Sequence, residues 1–271
     1  MELTPDHKLP EYQQSHRLYD KFLPVLVQHM GKGIVVDVGA NCGDSLASML
    51  SLNSQLHYVC VEADAAFFQY LTRNVEKMRQ ARPDASVSLV NAMAGPAGKS
   101  GVMEGIGGTK TAVAAADSAH SMTTTPLDDL AELATEQRVV LIKVDTDGHD
   151  FEVIQSAGNI LAKHSPMIHF ECYLPDAQTH QNYVAAIKEL FDDGYKTWYV
   201  FDNFGYLLIA TSDLAVVNAL IDYSYLQNAA PDGGAIQYLD FLCCRWAQDQ
   251  AIADAAVADY MATIRRGNFA H

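Results

Sequence analysis

Residues 33 to 45 read Gly33-Ile-Val-Val-Asp-Val-Gly-Ala-Asn-Cys-Gly-Asp-Ser45, and this stretch decides the fold. Four apolar residues that favour β-structure, interrupted only by Asp37, predict a buried parallel strand. The Gly-Ala-Asn-Cys-Gly that follows predicts a tight turn opening into a helix. A strand, a glycine turn and a helix N-terminus in this order are typical of α/β proteins with a doubly wound, mostly parallel sheet.

The glycine turn also indicates a ligand site. Gly39 and Gly43 allow backbone N–H groups to approach a bound molecule closely, and Asp37 lies where the strand ends. The spacing is Gly-x-x-x-Gly, so the Gly-x-Gly-x-x-Gly fingerprint of dinucleotide-binding proteins is absent. An acid at this place suits a cationic amine, such as that of the methionyl part of S-adenosylmethionine (SAM). The same pattern also occurs in α/β proteins that bind nothing there, so other segments must decide.

Length and composition describe an ordinary globular protein. At 271 residues, with 49% hydrophobic and 19% charged residues, the chain is long enough to bury a core, and we predict one domain. The formal charge is −15, from 33 acids and 18 bases. A field of that sign repels phosphate backbones and anionic lipid, so we expect neither a nucleic-acid nor a membrane partner.

Cysteine usage and hydropathy bear on the compartment. The five cysteines are an odd number and show no Cys-x-x-Cys spacing, so we expect reduced thiols, no structural zinc and a cytoplasmic location. No stretch approaches the roughly 18 uninterrupted apolar residues that a membrane-spanning helix needs. The acidic N-terminus lacks the basic and apolar regions of a signal peptide.

Five successive apolar strands are predicted to end in polar residues, which are Asp37, Glu62, Asn91, Asp145 and Glu171. Ligands of open α/β sheets bind outside the carboxyl ends of the strands, so this series predicts a crevice at that edge. Glu62 lies 19 residues beyond Gly43, a spacing that suits an acid accepting hydrogen bonds from both ribose hydroxyls of an adenosine. Each polar residue taken alone is explained as well by a turn.

Two flanking segments carry weaker patterns. Residues 16 to 30 show an apolar stripe that predicts one helix despite Pro24, either packed on the sheet or acting as a lid. Residues 95 to 125 are rich in glycine and predict either a mobile loop that covers the substrate or a poorly ordered edge hairpin.

The C-terminal half predicts a hairpin and a closing unit. Residues 195 to 201 and 206 to 210 are expected to form the two hairpin strands. A helix, a strand carrying Asp240 and an alanine-rich helix then end the chain. We therefore divide the single domain into a helical cap (1–30), a cofactor-binding core (31–210) and a helix–strand–helix extension that completes the sheet (211–271).

With these residues in view, the chain resembles the FkbM family of class I SAM-dependent methyltransferases over most of residues 33 to 210. The most specific segment is similar to the family's Lys-hydrophobic-Asp-x-Glu-Gly-x-Glu signature, with Asp147 and Asp150 in place of the two glutamates. The final strand is also similar to the closing strand of members that act on sugars or natural products. The segments that carry the resemblance are Asp37-Val-Gly-Ala-Asn-Cys-Gly43, Val61-Glu62, Leu89-Val-Asn-Ala-Met93, Thr125-Pro-Leu-Asp-Asp-Leu130 and Ile142-Lys-Val-Asp-Thr-Asp-Gly-His-Asp150.

The resemblance implies a Rossmann-like sheet of seven strands, the last antiparallel, with SAM across the tips of the first four. The glycine turn and Asp37 would hold the methionyl part, Glu62 the ribose, and residues 91 to 93 the adenine. The implied cofactor-binding residues are Asp37, Gly39, Ala40, Asn41, Gly43, Glu62, Ala63, Asn91, Ala92, Met93 and Asp145.

Members of the family mostly methylate hydroxyl groups, so the resemblance implies O-methylation of a small molecule, natural product or sugar. Methyl transfer is an in-line displacement at a carbon activated by the sulfonium, so the protein mainly positions the acceptor and removes its proton. The candidate catalytic residues are Asp145, His149 and Glu171, which lie at or near adjacent strand ends.

Three alternatives stay open at this stage. The carboxylates around Asp145, with His169, offer oxygen and nitrogen ligands for a Mg²⁺ that acidifies the hydroxyl, but their spacing defines no geometry and we do not favour a metal site. A nicotinamide-dependent oxidoreductase would share the strand, the turn and Glu62 yet should show the three-glycine fingerprint. A non-catalytic SAM-fold or carbohydrate-binding module would keep the sheet and lose affinity for the cofactor.

Overall fold

The computed structural model of the protein describes residues 1–105, 108, 110–114, 121–230 and 234–267. The strands are β1 (Ile34–Val38), β2 (His57–Glu62), β3 (Ser86–Asn91), β4 (Ser100–Glu104), β5 (Thr111–Ala114), β6 (Met122–Thr123), β7 (Val139–Val144), β8 (Met167–Tyr173), β9 (Thr197–Asp202), β10 (Leu207–Thr211) and β11 (Tyr238–Cys244). The helices are α1 (Leu9–Ser15), α2 (Phe22–Gln28), α3 (Asp44–Leu52), α4 (Ala65–Ala81), α5 (Asp150–Gln155), α6 (Gly158–His164), α7 (Ala177–Asp192), α8 (Leu214–Ala229) and α9 (Ala247–Arg266).

β1 lies inside the main sheet, between β2 and β7, and pairs in parallel with both. The order across the sheet is β10-β9-β11-β8-β7-β1-β2-β3. β11 runs antiparallel to both of its neighbours, which confirms the doubly wound, mostly parallel sheet with an antiparallel last strand. The main sheet of the described chain has eight strands rather than seven, because the predicted hairpin forms as β9 and β10 and adds β10 to the edge.

Both faces of β1 are buried, as its apolar sequence, interrupted only by Asp37, predicts. Val36 and Val38 contribute to one hydrophobic core and Val35 to the other, on the opposite face of the sheet. Alternate residues of a strand point to opposite faces, so Asp37 lies on the same face as Val35. A carboxylate in this position needs a charged partner, because burial of an unpaired charge is costly.

The N-terminal cap differs from its prediction. One helix over residues 16 to 30 is wrong: α1 ends at Ser15, Asp20 takes a left-handed conformation with φ of 52°, and α2 begins at Phe22. Pro24 lies in the first turn of α2, where backbone N–H groups have no partner inside the helix. The proline is therefore compatible with the start of a helix, and the interruption falls before it.

The described part of the glycine-rich insertion forms a small sheet of its own. In its described part, β4 pairs antiparallel with both β5 and β6 in a three-stranded sheet separate from the main one. Of the two alternatives for this segment, the antiparallel pairing agrees with a hairpin, but these strands do not extend the main sheet. Part of the predicted loop, at positions 106, 107, 109 and 115–120, lies outside the described residues.

The C-terminal segment follows the predicted order of helix, strand and helix, as α8, β11 and α9. β11 lies between β8 and β9 rather than at an edge. Its successive residues alternate between the two hydrophobic cores. All five cysteines are described, and each is a buried free thiol. None of the described helices is both long enough and apolar enough to cross a bilayer.

Candidate active site

The glycine turn after β1 requires three left-handed residues. Gly39, Asn41 and Gly43 have φ values of 74°, 49° and 87°. A Cβ atom on Gly39 would overlap the carbonyl oxygen of Asp145, because the tips of β1 and β7 approach each other closely here. Asn41 tolerates the conformation because its side chain bonds locally, with Oδ1 accepting from the Cys42 N–H at 2.7 Å.

Glu62, at the tip of β2, is fixed by the backbone around it. Its Oε2 accepts from the Asn41 N–H at 2.8 Å and its Oε1 from the Asp64 N–H at 2.7 Å. The residue is only 4% exposed, and burial raises the pKa of its carboxyl to about 7. Each oxygen retains a lone pair for a ligand.

One cavity, of about 480 Å³, opens at the tips of β1, β2, β3 and β7, and we call it the donor cavity. Its walls are mostly apolar, with Glu62 as a polar exception at the tip of β2. The separate small sheet closes it from one side through Gly101, Met103 and Val113. The sequence-predicted residues that line it are Gly39, Asn41, Glu62, Ala63, Ala92, Met93, Asp145 and His149.

A second cavity, of about 390 Å³, adjoins the first, and we call it the acidic cavity. Gly39, Asn41, Asp145 and Asp147 line both. Its walls include the N-terminal cap, the glycine turn, the start of α3, the ends of β7, β8 and β11, and the turn between β9 and β10. Its carboxylates belong to Asp20, Asp44, Asp145, Asp147, Glu171 and Asp240.

Four residues of the predicted cofactor-binding set do not line these two cavities, so their contact with a cofactor stays a prediction. Asp37 lies within the sheet, fully buried, and Ala40 is buried behind the turn. Gly43 packs against α4, where a Cβ would lie 2.8 Å from Leu71 Cδ1. Asn91 supports the lining instead, since its Nδ2 donates to the Glu62 carbonyl oxygen at 2.8 Å.

Lys143 is a site residue that the sequence reasoning did not select. Its Nζ lies 3.0 Å from Asp37 Oδ1, 3.4 Å from Asp145 Oδ2 and 3.3 Å from the Gly39 carbonyl oxygen. The contact with Asp37 is an ion pair whose angles fall outside hydrogen-bond geometry. Burial alone lowers the pKa of this ammonium, but the neighbouring carboxylates, Asp37 first, raise it well above its ordinary value. The sequence contained a signal for this role, because a lysine within an apolar strand requires acidic partners.

The loop after β7 separates the candidate bases. His149 lines the donor cavity, with Nε2 2.7 Å from the Ala112 carbonyl oxygen of β5. Glu171 lines the acidic cavity, where burial and neighbouring carboxylates raise its pKa well above the ordinary value. Asp145 lies between them, with its side chain 44% exposed. Among the three, only Asp145 lines both cavities.

The two aspartates that replace the family's glutamates have different surroundings. Asp150 is fully buried and accepts from the Thr146 N–H at 2.8 Å and from its hydroxyl at 2.7 Å, which closes the loop. Asp147 has a φ of 52° and lines both cavities. Burial is the main cause that raises the pKa of each to about 7. Across the described positions, no group of three or more His, Cys, Asp and Glu is arranged to hold a metal ion.

Three solved structures illustrate what the chain is similar to. FkbM methyltransferase from Methylobacillus flagellatus KT is 12% identical, with a TM-score of 0.48, and the match covers 87% of this chain and 58% of that one. Precorrin-6y C5,15-methyltransferase from Geobacter metallireducens GS-15 is 9% identical, with a TM-score of 0.44, over 84% of this chain and 87% of that one. A putative O-methyltransferase from Klebsiella pneumoniae is 12% identical, with a TM-score of 0.46, over 84% and 80%. This chain therefore spans little more than half the length of the first of them.

No curated protein matches the chain significantly. The model of the methyltransferase FkbM domain, in contrast, matches residues 37–206, which is more than half of the chain. The match begins in β1, passes through the signature segment after β7 and ends in the turn between β9 and β10. It includes most of the residues around the two cavities. The chain belongs to the methyltransferase FkbM domain family and has the Rossmann-like fold that its strand order displays.

Proposed function

We propose that this protein transfers a methyl group from SAM to a hydroxyl group of a small molecule, natural product or sugar. Membership of a methyltransferase family supports methyl transfer. The observation that carries the finer proposal is the meeting of two cavities of different chemistry at Gly39, Asn41, Asp145 and Asp147. Their volumes, about 480 and 390 Å³, lie within the range of small-molecule sites.

The donor cavity suits an adenosine. Glu62 presents a carboxylate that the backbone holds in place, which fits a pair of ribose hydroxyls. Met93 and Phe67 offer apolar surface for a base. Gly39 and Asn41, which line both cavities, would hold the methionyl part. When bound, SAM supplies a methyl carbon on a positively charged sulfur.

Asp145 is placed to take the proton of the acceptor hydroxyl. It lines both cavities, and Lys143 holds its carboxylate from 3.4 Å. Glu171 is a weaker candidate, because it lines only the acidic cavity and not the junction with the donor cavity. His149 lies on the donor side, with one ring nitrogen occupied by β5. We therefore assign the base to Asp145, with Glu171 in contact with the acceptor.

Calorimetric titration with SAM and its product S-adenosylhomocysteine (SAH) tests the proposal. We expect micromolar binding by the wild type and no detectable binding by Glu62→Ala. Glu76→Gln is the matched control, since it removes an exposed acid from α4 away from both cavities. Wild type that binds neither compound would leave the non-catalytic module as the better description. A parallel titration with NADH tests the oxidoreductase alternative, for which only NADH should bind.

A further inference from the structure

The acidic cavity carries more negative charge than its own walls balance. Among the residues that line it, Lys143 is the one Lys or Arg, and Asp37 and Asp145 already engage its ammonium. The side chains of Asp20, Glu171 and Asp240 accept no hydrogen bond and form no ion pair with any residue in the described part of the chain. Carboxylates that line a cavity without a partner indicate that a ligand supplies one.

The excess of negative charge is concentrated at Glu171 and Asp240. They are directly opposite each other in the antiparallel pair of β8 and β11, on the same face of the sheet. Side chains in such positions have Cβ atoms roughly 5 Å apart, and like charges there destabilise a sheet. Burial raises the pKa of both carboxyls well above the ordinary value, and each is surrounded mainly by other acids. The pair is thus compatible with either a bound cation or retained protons.

A separate observation concerns a polar group on the wall of the acidic cavity. Ser45, in the first turn of α3, lines the cavity and is only 7% exposed. Its hydroxyl has no hydrogen-bond partner among the described residues. The hydroxyl faces the cavity, so a polar group of a bound ligand can form a hydrogen bond with it. Tyr19 and Tyr238 also line the cavity, and aromatic rings of this kind can attract a cation.

In the proposed position of SAM, its positive charges do not pair with Glu171 and Asp240. Its methionyl part is proposed to lie at the glycine turn, at the tip of β1. β8 and β11 are two and three strands away from β1 in the sheet. At about 4.8 Å per strand, the strands that carry Glu171 and Asp240 lie about 10 and 14 Å from β1. With SAM at the glycine turn, a cation between these two carboxylates would belong to the acceptor.

We propose that the acceptor carries a protonated amine, in addition to the hydroxyl that receives the methyl group, and that Glu171 and Asp240 together bind this amine. The substrate class is then an amine-bearing small molecule, such as an amino sugar or an amino alcohol. The inference rests on the proposed function for the position of the methyl donor. It adds Asp240 as a residue that determines specificity. A neutral polyol would be preferred only if the pair kept its protons.

Binding of matched probes to the SAH-bound protein tests the proposal. The pairs are D-glucosamine with D-glucose, and 1,3-diaminopropane with 1,3-propanediol, each titrated by calorimetry. We expect each amine to bind the wild type at least about tenfold more tightly than its neutral twin. Asp240→Asn and Glu171→Gln should each lose most of this preference, and Glu76→Gln should retain it. Added salt should weaken the amines selectively.

Equal binding of the neutral twins, failure of both amines to bind, or a preference that survives in both amide variants would overturn the inference. The SAH titration is evaluated first. If SAH does not bind, the proposed function fails; if SAH binds and the amines show no preference, only the inference fails. The amide variants remove charge repulsion without changing shape, and melting temperatures confirm that they fold. The two variants are independent, so one that misfolds still leaves the other.

Discussion

Lys143 Nζ lies 3.0 Å from Asp37 Oδ1, on adjacent strands in the middle of the sheet, with side-chain exposures of 4% and 0%. The lysine also contacts Asp145 and the Gly39 carbonyl oxygen, so one buried cation connects the glycine turn with the loop after β7. Because these two segments form the junction of the cavities, the ion pair supports the site from beneath. Its importance follows from the burial of both partners.

Lys143→Met should destabilise the protein by about 3–5 kcal/mol, because it leaves the Asp37 carboxylate buried without a partner. The double variant Lys143→Met/Asp37→Asn should lose clearly less than the sum of the two single variants, since neither charge then remains. Urea unfolding of the wild type and the three variants measures this coupling. Strictly additive losses would show that the two groups do not interact.

Gly39→Ala should unfold the site. The residue has a φ of 74°, and an added Cβ would collide with the backbone oxygen of Asp145, which no side-chain movement relieves. We expect a loss of at least about 2 kcal/mol and no SAH binding. Gly31→Ala is the control, because a Cβ there meets nothing within 4 Å. A Gly39→Ala protein with normal stability and affinity would refute the close approach of the two strand tips.

Asn41 has a backbone role and a side-chain role that can be separated. Its left-handed backbone has a φ of 49°, its Oδ1 lies 3.2 Å from His7 Nε2, and its Nδ2 donates to the Gly108 carbonyl oxygen at 2.7 Å. Asn41→Gly keeps the conformation and loses the bonds, whereas Asn41→Ala loses both and should be about 1 kcal/mol less stable than the glycine variant. Both should weaken SAH binding. Equal stability in chemical unfolding would mean that the backbone conformation carries no strain.

The stability of the protein should fall as the pH rises through the neutral range. Burial raises the pKa of Glu62, Asp147 and Asp150 to about 7 in the folded state, well above their unfolded values. Between the unfolded pKa and about pH 7 the folded protein binds more protons than the unfolded chain, so stability decreases with pH there and levels off above. Melting temperatures at about pH 5.5 and about pH 8 measure the slope. Glu62→Gln should reduce it, and a melting temperature that rises over this interval would contradict the burial argument.

Asp145 and His149 should differ in their effect on turnover. Asp145→Asn should lower the rate of methyl transfer by about 10²–10⁴-fold while SAH affinity changes little, because the amide keeps the shape and cannot accept the proton. His149→Ala should change the rate far less, since its ring contacts β5 on the donor side. Transfer of a labelled methyl group from SAM to an acceptor identified with the probes above measures both rates. A larger loss in the histidine variant would reassign the base.

Local pattern was sufficient for much of this molecule. An apolar run, an acid and two glycines predicted β1 and its turn, and similar runs predicted β2, β3, β7 and β8. The predicted end of β8 at Glu171 was wrong, because the strand continues to Tyr173. The number of strands was underestimated by one, because the place of a hairpin relative to a sheet edge depends on distant pairing. The prediction of one helix over residues 16 to 30 was wrong for a related reason. The residues of its apolar stripe are buried. The left-handed conformation of Asp20, which interrupts the helix, cannot be predicted from the spacing of apolar residues.

By itself the sequence determined the strand–turn–helix unit, the series of polar strand ends and the donor-cavity residues near them, because each depends on neighbours close along the chain. The tertiary structure alone decided that Lys143 lies beside Asp37 on the neighbouring strand. It also decided that Asp20 from the cap and Asp240 from β11 line the same cavity as Glu171. Asp20 and Asp240 come from opposite ends of the chain. Their meeting depends on the order of strands in the sheet, which no local pattern contains.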